Sequence, residues 1–282
     1  MVKQNMYVPV IGTTSTFHLF CKYPILLLVL PIIAGIAISG VPATDRCPMI
    51  GMVSFTFDDG FVDTLNIAYP ILAQYGYTGT AYIPTGLMDT ESGYYMTTTD
   101  LQILAKAGWE IGSHGVNHYD LTTLDAATLT HELANSKTVL QVLGFNVQTI
   151  ASPYGAYNTG VLVEIEKYYY GHRTAQNTPI LNNIPVSDRY QIRGWVITND
   201  TSVQQVEQYV KKAMDERKWL VLVFHKFDRE GTYSYKSADF AQIVKYTWTL
   251  GYSALKVYTT NYGLSGERMC AVVYHDADTR RG

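Results

Sequence analysis

The sequence predicts an α/β fold with a mainly parallel sheet, and three observations carry that prediction. Short apolar and β-branched runs alternate with segments of helical spacing along most of the 282 residues. No charge block, low-complexity segment or internal repeat marks a second domain. Polar residues of catalytic type stand at or just beyond the ends of four such runs, near Phe57, His114, Ala151 and His225. That is the edge on which parallel α/β folds build their sites. A barrel and a doubly wound sheet both fit the pattern.

Each element has its own signal. Met52–Phe57 is an apolar strand, and Thr64–Gln74 has apolar residues at helical spacing. Thr78–Pro84 reads as a strand. Thr98–Ala107 reads as a helix, with N-cap candidates at its T-T-T-D start and a stop at Gly108. Glu110–Ser113 is a strand, Asp125–Leu143 a long helix ending at Gly144, and Val147–Ala151 a strand before Pro153. Val161–Tyr169 is helical. Tyr190–Ile197 is a strand, Ser202–Lys218 a helix, and Trp219–His225 a near-continuous apolar strand. Ala238–Leu250 is a helix ending at Gly251, and Ser253–Thr259 is the last clear strand. Ala271–His275 is a candidate edge strand in a tail of unassigned role.

The N-terminus reads as an address. Residues 23–44 carry no charge, follow Lys22, and contain the run PILLLVLPIIAGIAISG. A basic flank, an apolar stretch and small residues at its end describe a secretory signal. Ala37-Ile38-Ser39 and Val41-Pro42-Ala43 both offer cleavage geometry. The same length also suits an uncleaved signal anchor, a membrane tether through residues 23–44. Residues 1–45 are therefore expected to be signal peptide or anchor, 46–262 the catalytic domain, and 263–282 the tail. An extracytoplasmic location, secreted or membrane-anchored, follows. It would allow Cys47 and Cys270 to pair, although two unrelated thiols fit equally well. Asn199-Asp200-Thr201 is a glycosylation triplet.

Composition narrows the function. Hydrophobic residues are 47% and charged residues 16%, enough for a large core and against disorder. Lys+Arg 21 against Asp+Glu 24 gives a net charge of −3, with no basic run, so nucleic acid is not an expected partner. Three cysteines neither build a disulfide scaffold nor show zinc-finger spacing.

Four segments carry the chemistry. In Thr56-Phe57-Asp58-Asp59-Gly60 an apolar strand ends in two carboxylates and a glycine. Adjacent strand residues face opposite sides, so both acids reach one site only if the chain turns there, as Gly60 permits. Glycosidase carboxyls flank the scissile bond at ~5–9.5 Å, which adjacent residues suit poorly. One acid as ligand and one as base is the better division, while helix capping by the aspartates is the bland alternative. Ser113-His114-Gly115-Val116-Asn117-His118 places two imidazoles four residues apart after a strand, where they and a carboxylate can share an ion. Ser152-Pro153-Tyr154-Gly155 is either an oxyanion loop or a simple turn. His225 closes a buried strand and matters only if the other strand ends converge on it.

Together these segments resemble the polysaccharide deacetylase family, the NodB-homology domain of carbohydrate esterase family 4, over about residues 49–260. T-F-D-D-G and S-H-x-x-x-H, in that order and about 55 residues apart, carry the resemblance. It implies a distorted (β/α) barrel of about seven parallel strands. It also implies a metal-dependent hydrolase that removes acetyl groups from N-acetylated, or sometimes O-acetylated, polysaccharide. Asp58 matches the catalytic base. Asp59, His114 and His118 match the metal ligands. The backbone N–H of Tyr154 matches the oxyanion donor, and His225 matches the acid that protonates the leaving amine. Zinc suits two histidines and an aspartate; cobalt, nickel and iron accept the same set. No serine lies at the centre of a G-x-S-x-G elbow, in keeping with an absent acyl-enzyme.

The sequence departs from the family at three places. Ala151 stands where an arginine usually orients the base. The usual aspartates and tryptophan of the fourth motif are missing around Tyr190–Trp195, where Arg193 and Trp195 stand instead. Val223 replaces a leucine two residues before His225. Arg193 is the expected substitute for the lost arginine, and Trp195 an expected wall of the acetate pocket. Tyr94, Tyr95, Tyr154 and Tyr157 are candidates to stack on sugar rings, and Arg173 is a candidate substrate contact. His131 and His172 match no motif. Two other readings stay open: a catalytically inactive glycan-binding relative, and a hydrolase of small amides or imides on the same barrel.

Overall fold

β1 (Gly51–Phe57) is buried along its whole length and is the strand around which the rest assembles. The computed structural model describes residues 50–265 apart from 92, 176 and 177. Alternation along β1 splits its side chains into two sets. Val53, Phe55 and Phe57 join the main apolar cluster under the helices, where Phe55 and Phe57 meet Phe240 edge-on. Ser54 and Thr56 face the other way, into an interior they share with a small apolar cluster of Met52, Ile192, Trp219 and Val221.

The remaining elements are α1 (Tyr69–Ala73), entered through a π-helical turn at Thr64–Ala68, β2 (Thr80–Ile83), α2 (Thr98–Lys106) and β3 (Glu110–Ser113). Then come α3 (Ala126–Val142), β4 (Thr149–Ala151), α4 (Thr159–Glu166), β5 (Gly171–Thr174), β6 (Ile192–Arg193) and β7 (Trp195–Val196). The chain continues with α5 (Val203–Glu216), β8 (Trp219–Phe224), β9 (Lys226–Phe227), β10 (Ser234–Tyr235), α6 (Ser237–Thr249), β11 (Leu255–Val257) and α7 (Thr260–Leu264). Caps set several boundaries. Thr97 and Asp100 form a capping box on α2, as Ser202 and Gln205 do on α5.

The large sheet runs β6-β5-β4-β3-β2-β1-β8-β7, and all its pairings are parallel. β6 and β7 are one extended segment broken at Gly194. Its first half pairs with β5 and its second with β8, which brings the two ends of the sheet together. A Cβ at Gly194 would sit 2.7 Å from both Arg173 Cδ and Val223 Cγ2, so only glycine lets the segment pass between its two partners. Counted as one, β6 and β7 complete a ring of seven strands, the distorted (β/α) barrel expected. β11 is additional. It pairs with the first half of β1, while β2 pairs with the second half.

Several elements differ from expectation, among them the short strands β9 and β10 and the helix α7. β5 has only a strand start at His172 to mark it in the sequence, because Gly-His-Arg-Thr lacks an apolar run. The expected strand at 190–197 is two short pieces instead. The expected domain boundary at 262 falls inside α7, whose Gly263 lies against the Trp219 indole. Among the described residues no helix is long and apolar enough to cross a membrane. The leader, Cys47, Cys270 and the candidate strand at 271–275 lie outside the described residues.

Candidate metal centre and active site

At the end of β1 the Asp58 N–H donates to Phe224 O at 2.9 Å, so pairing persists one residue past the strand. Asp58 keeps the alternation of Ser54 and Thr56 and is buried at the barrel mouth. Then Asp59 (φ 67°) and Gly60 (φ 70°) both adopt the left-handed region and turn the chain. Gly60 does so freely, whereas Asp59 carries strain of order 1–3 kcal/mol. The Met96 N–H, donating to Gly60 O at 2.8 Å, helps hold the turn.

The two histidines arrive from β3. His114 Nδ1 lies 2.8 Å from Ala151 O. A carbonyl only accepts, so Nδ1 carries a proton and Nε2 is the nitrogen turned toward the site. That Nε2 is 3.4 Å from Asp59 Oδ1, and His118 Nε2 is 3.0 Å from the same oxygen. The ligand atoms of Asp59, His114 and His118 lie within 4.8 Å of one another. Asp59 Oδ1 is buried yet lacks a hydrogen bond of normal geometry. Burial pushes the Asp59 carboxyl up, but His114 and His118 overcome it and hold the group well below the usual carboxylate range. A buried, ionised oxygen facing two imidazole nitrogens fits a divalent cation.

The guanidinium on Asp58 belongs to Arg173, not to Arg193. Arg173 Nη2 donates to both Asp58 oxygens, at 2.6 Å to Oδ2, and both residues are buried. The Arg173 guanidinium also lies 5.0 Å from the centroid of the Tyr82 ring. Arg173 is the register partner of Ala151 across β4 and β5. It therefore reaches the interior from the strand next to the expected one. Arg193 pairs with Thr174, one residue out of phase, and faces the other side of the sheet. There it lines a shallow polar cleft with Asn182, Asp188 and Gln191. Trp195 is also displaced from its expected role. It pairs with Leu222 and meets Tyr209 of α5 edge-on at 5.0 Å, on the helix side of the sheet.

Tyr154 (φ 60°) turns the loop after β4, and no carbonyl among the described residues accepts its N–H. Its ring meets that of His118 edge-on at 4.8 Å and is 71% exposed, so it forms an open wall beside the ligand. His225 follows β8. Its Nδ1 is buried without a hydrogen-bond partner, and its ring lies 5.0 Å from the exposed Tyr233. Burial pushes the His225 imidazole down, against the pull of Asp58 and Asp59. Tyr95 stacks on Phe61, which lies two residues beyond Asp59, and Tyr94 packs edge-on against both. Tyr157 instead donates to Gln191 and packs on His172.

His172, absent from the expected site, supports it. Its Nδ1 donates to Tyr190 O at 2.6 Å, which leaves Nε2 to accept from Ser152 Oγ at 2.7 Å. That bond anchors the residue that opens the Tyr154 loop. Burial pushes the His172 imidazole down to about 4. The unfolded ring takes up a proton near its ordinary value of 6.5 while the folded ring stays neutral, so stability is lost as pH falls from 6.5 towards 4. We expect a slope of about 1.4 kcal/mol per pH unit from this group. Urea unfolding across that range checks it, and His172→Gln should flatten the slope.

Comparison with known proteins agrees with this geometry. Residues 45–171 match the family model for polysaccharide deacetylase. YxkH of Bacillus subtilis (strain 168), whose name places it among polysaccharide deacetylases, is 32% identical over 45% of this chain and 45% of its own. The chitin deacetylase of Arthroderma benhamiae is 26% identical over 62% of this chain and 50% of its own. The chain thus spans about half the length of these relatives. The Xyl-CE4 domain of a multidomain xylanase from the hindgut metagenome of Trinervitermes trinervoides shares the fold, with a TM-score of 0.54 at 21% identity over 77% of this chain and 91% of that one.

Proposed function

We propose that the chain is a metal-dependent deacetylase that hydrolyses acetyl groups from an acetylated glycan outside the cytoplasm. The observation that carries this reading is the convergence of Asp59, His114 and His118 beside an Asp58–Arg173 pair at one barrel mouth. Asp59, His114 and His118 would hold a divalent ion, with zinc the first choice for two imidazoles and a carboxylate. Such an ion polarises a carbonyl and makes water a stronger acid. Asp58, held in place by Arg173, takes the proton of the attacking water. The Tyr154 N–H donates to the oxygen on which negative charge develops. His225 returns a proton to the leaving amine, or to the alcohol of an ester. Tyr95, Tyr154 and Tyr233 offer aromatic faces around the mouth for sugar rings.

The inactive-relative reading drew its support from the missing arginine. Arg173, which meets Asp58 from the adjacent strand, weighs against that reading.

Acetate release tests the proposal, with N-acetylated chitooligosaccharides and acetylated xylan as substrates before and after chelation. Release that stops on chelation and returns with zinc is the expected result. A chain that binds these glycans but releases no acetate, with zinc supplied, is a binding protein instead. The pH profile adds a second test. His225 must carry its proton to act, and burial makes it lose that proton at lower pH than a free imidazole. kcat should therefore decline as pH rises through this ionisation, with the optimum on the acid side of neutrality. His225→Gln should lower kcat by about 10²–10⁴-fold and remove that limb.

A further inference from the structure

We propose that Glu132 of α3 is a positioning residue that sets the ligand His118, an inference that rests on the metal-centre reading above. Glu132 is fully buried, on the helix face that also buries Leu129, Leu133 and Ser136. A lone carboxylate on an apolar face is costly unless its oxygens are satisfied. Here one oxygen accepts the N–H groups of Val116 and Asn117 at 2.8 and 2.9 Å, and the other accepts Asn117 Nδ2 at 2.6 Å. Those donors belong to the loop joining His114 to His118. The carbonyls of the same loop are also engaged, because Thr85 N–H donates to Gly115 O at 3.0 Å and Gly86 N–H to Val116 O at 2.8 Å. A Cβ at Gly86 would fall 2.8 Å from that Val116 oxygen, so the two backbones meet at closest approach.

The loop is thus held by its donors on one side and its acceptors on the other. It ends at His118, a non-glycine residue at φ 59°. Such a backbone persists only where its surroundings over-determine it. The Thr85–Gly86 contacts fix the position of the loop. Glu132 fixes the direction in which its N–H groups point, and hence the turn that aims the His118 ring at Asp59. Glu132 lies outside the Asp59, His114 and His118 group and acts through the peptide groups on either side of Val116.

Zinc affinity, measured by competition with a chromophoric chelator, tests this alongside the melting temperature of the metal-free protein. Glu132→Ala should bind zinc about 10–100-fold more weakly than wild type. Glu132→Gln, which keeps one carbonyl acceptor at the same length, should fall between the two. Leu133→Ala on the same helix should lower the melting temperature and leave affinity within about two-fold, since it touches no loop donor. Wild-type affinity in both Glu132 variants would overturn the inference while leaving the metal centre intact. If Glu132→Ala does not fold, the isosteric Glu132→Gln decides alone, with undiminished affinity overturning the proposal. A wild-type chain that takes up no zinc would remove the metal centre and this inference with it, a result distinct from equal affinities.

Discussion

Arg173→Ala should lower kcat/KM by about 10²–10³-fold, and Ala151→Arg in the same chain should restore most of the loss. The argument is geometric. Asp58 is buried, and Arg173 supplies its counter-charge through one nitrogen bonded to both carboxylate oxygens. Removing one partner of a buried ion pair leaves an uncompensated charge, at a cost of about 3–5 kcal/mol. The same change should therefore appear in urea unfolding. Ala151 and Arg173 are register partners on β4 and β5, so their side chains leave the sheet on the same face, about 4.8 Å apart between strands. An arginine placed at 151 would enter the volume that Arg173→Ala vacates. Arg173→Lys should restore less, because one ammonium cannot reproduce the planar guanidinium against both the carboxylate and the Tyr82 ring. Asp58→Asn should cost about 10²–10⁴-fold, and adding Arg173→Ala to it should cost little more, since the two act as a unit. A double variant as poor as the product of the singles would show that Arg173 acts on something other than Asp58.

His114→Ala and His118→Ala should each take the bound metal from about one ion per chain to none detectable at micromolar zinc, with acetate release down at least about 10³-fold. Each removes one of three ligands, and the remaining pair cannot close a site. The variants should differ in a second respect. His114 is buried and donates to Ala151 O, so His114→Ala should also destabilise the metal-free fold by about 1–3 kcal/mol. His118 sits at the open side of the site against the exposed Tyr154 ring, and its loss should cost the metal-free fold much less. Metal analysis of dialysed protein and metal-free unfolding curves separate these effects.

Much of this site is local, which is why it can be read along the chain. A strand ending in two aspartates and a glycine must turn there, and the turn brings both carboxylates to one mouth. Two histidines four residues apart after the next strand but one face the same mouth, because every pairing in the barrel is parallel. The seven-strand closure is partly local too, since the segment at 190–197 reads as a strand even though Gly194 divides it between two neighbours.

Arg173 was not legible in this way. β5 is four residues of mixed character, and no apolar periodicity marks it. Arg173 lies 22 residues beyond Ala151 in the chain and becomes its neighbour only through the pairing of β4 with β5. Arg193 looks equally suitable in the sequence. One residue of phase on β6 turns it to the opposite face, and only the register decides that. Glu132 left a faint local trace, a carboxylate among leucines at helical spacing, but its meaning depends on which loop α3 covers. The sequence by itself determined the barrel class, the aspartate pair and the two histidines that meet Asp59, because strand ends and turns are short-range. Tertiary structure decided which guanidinium meets Asp58 and which carboxylate meets the loop before His118, because those contacts join residues whose proximity is set by strand register and helix packing.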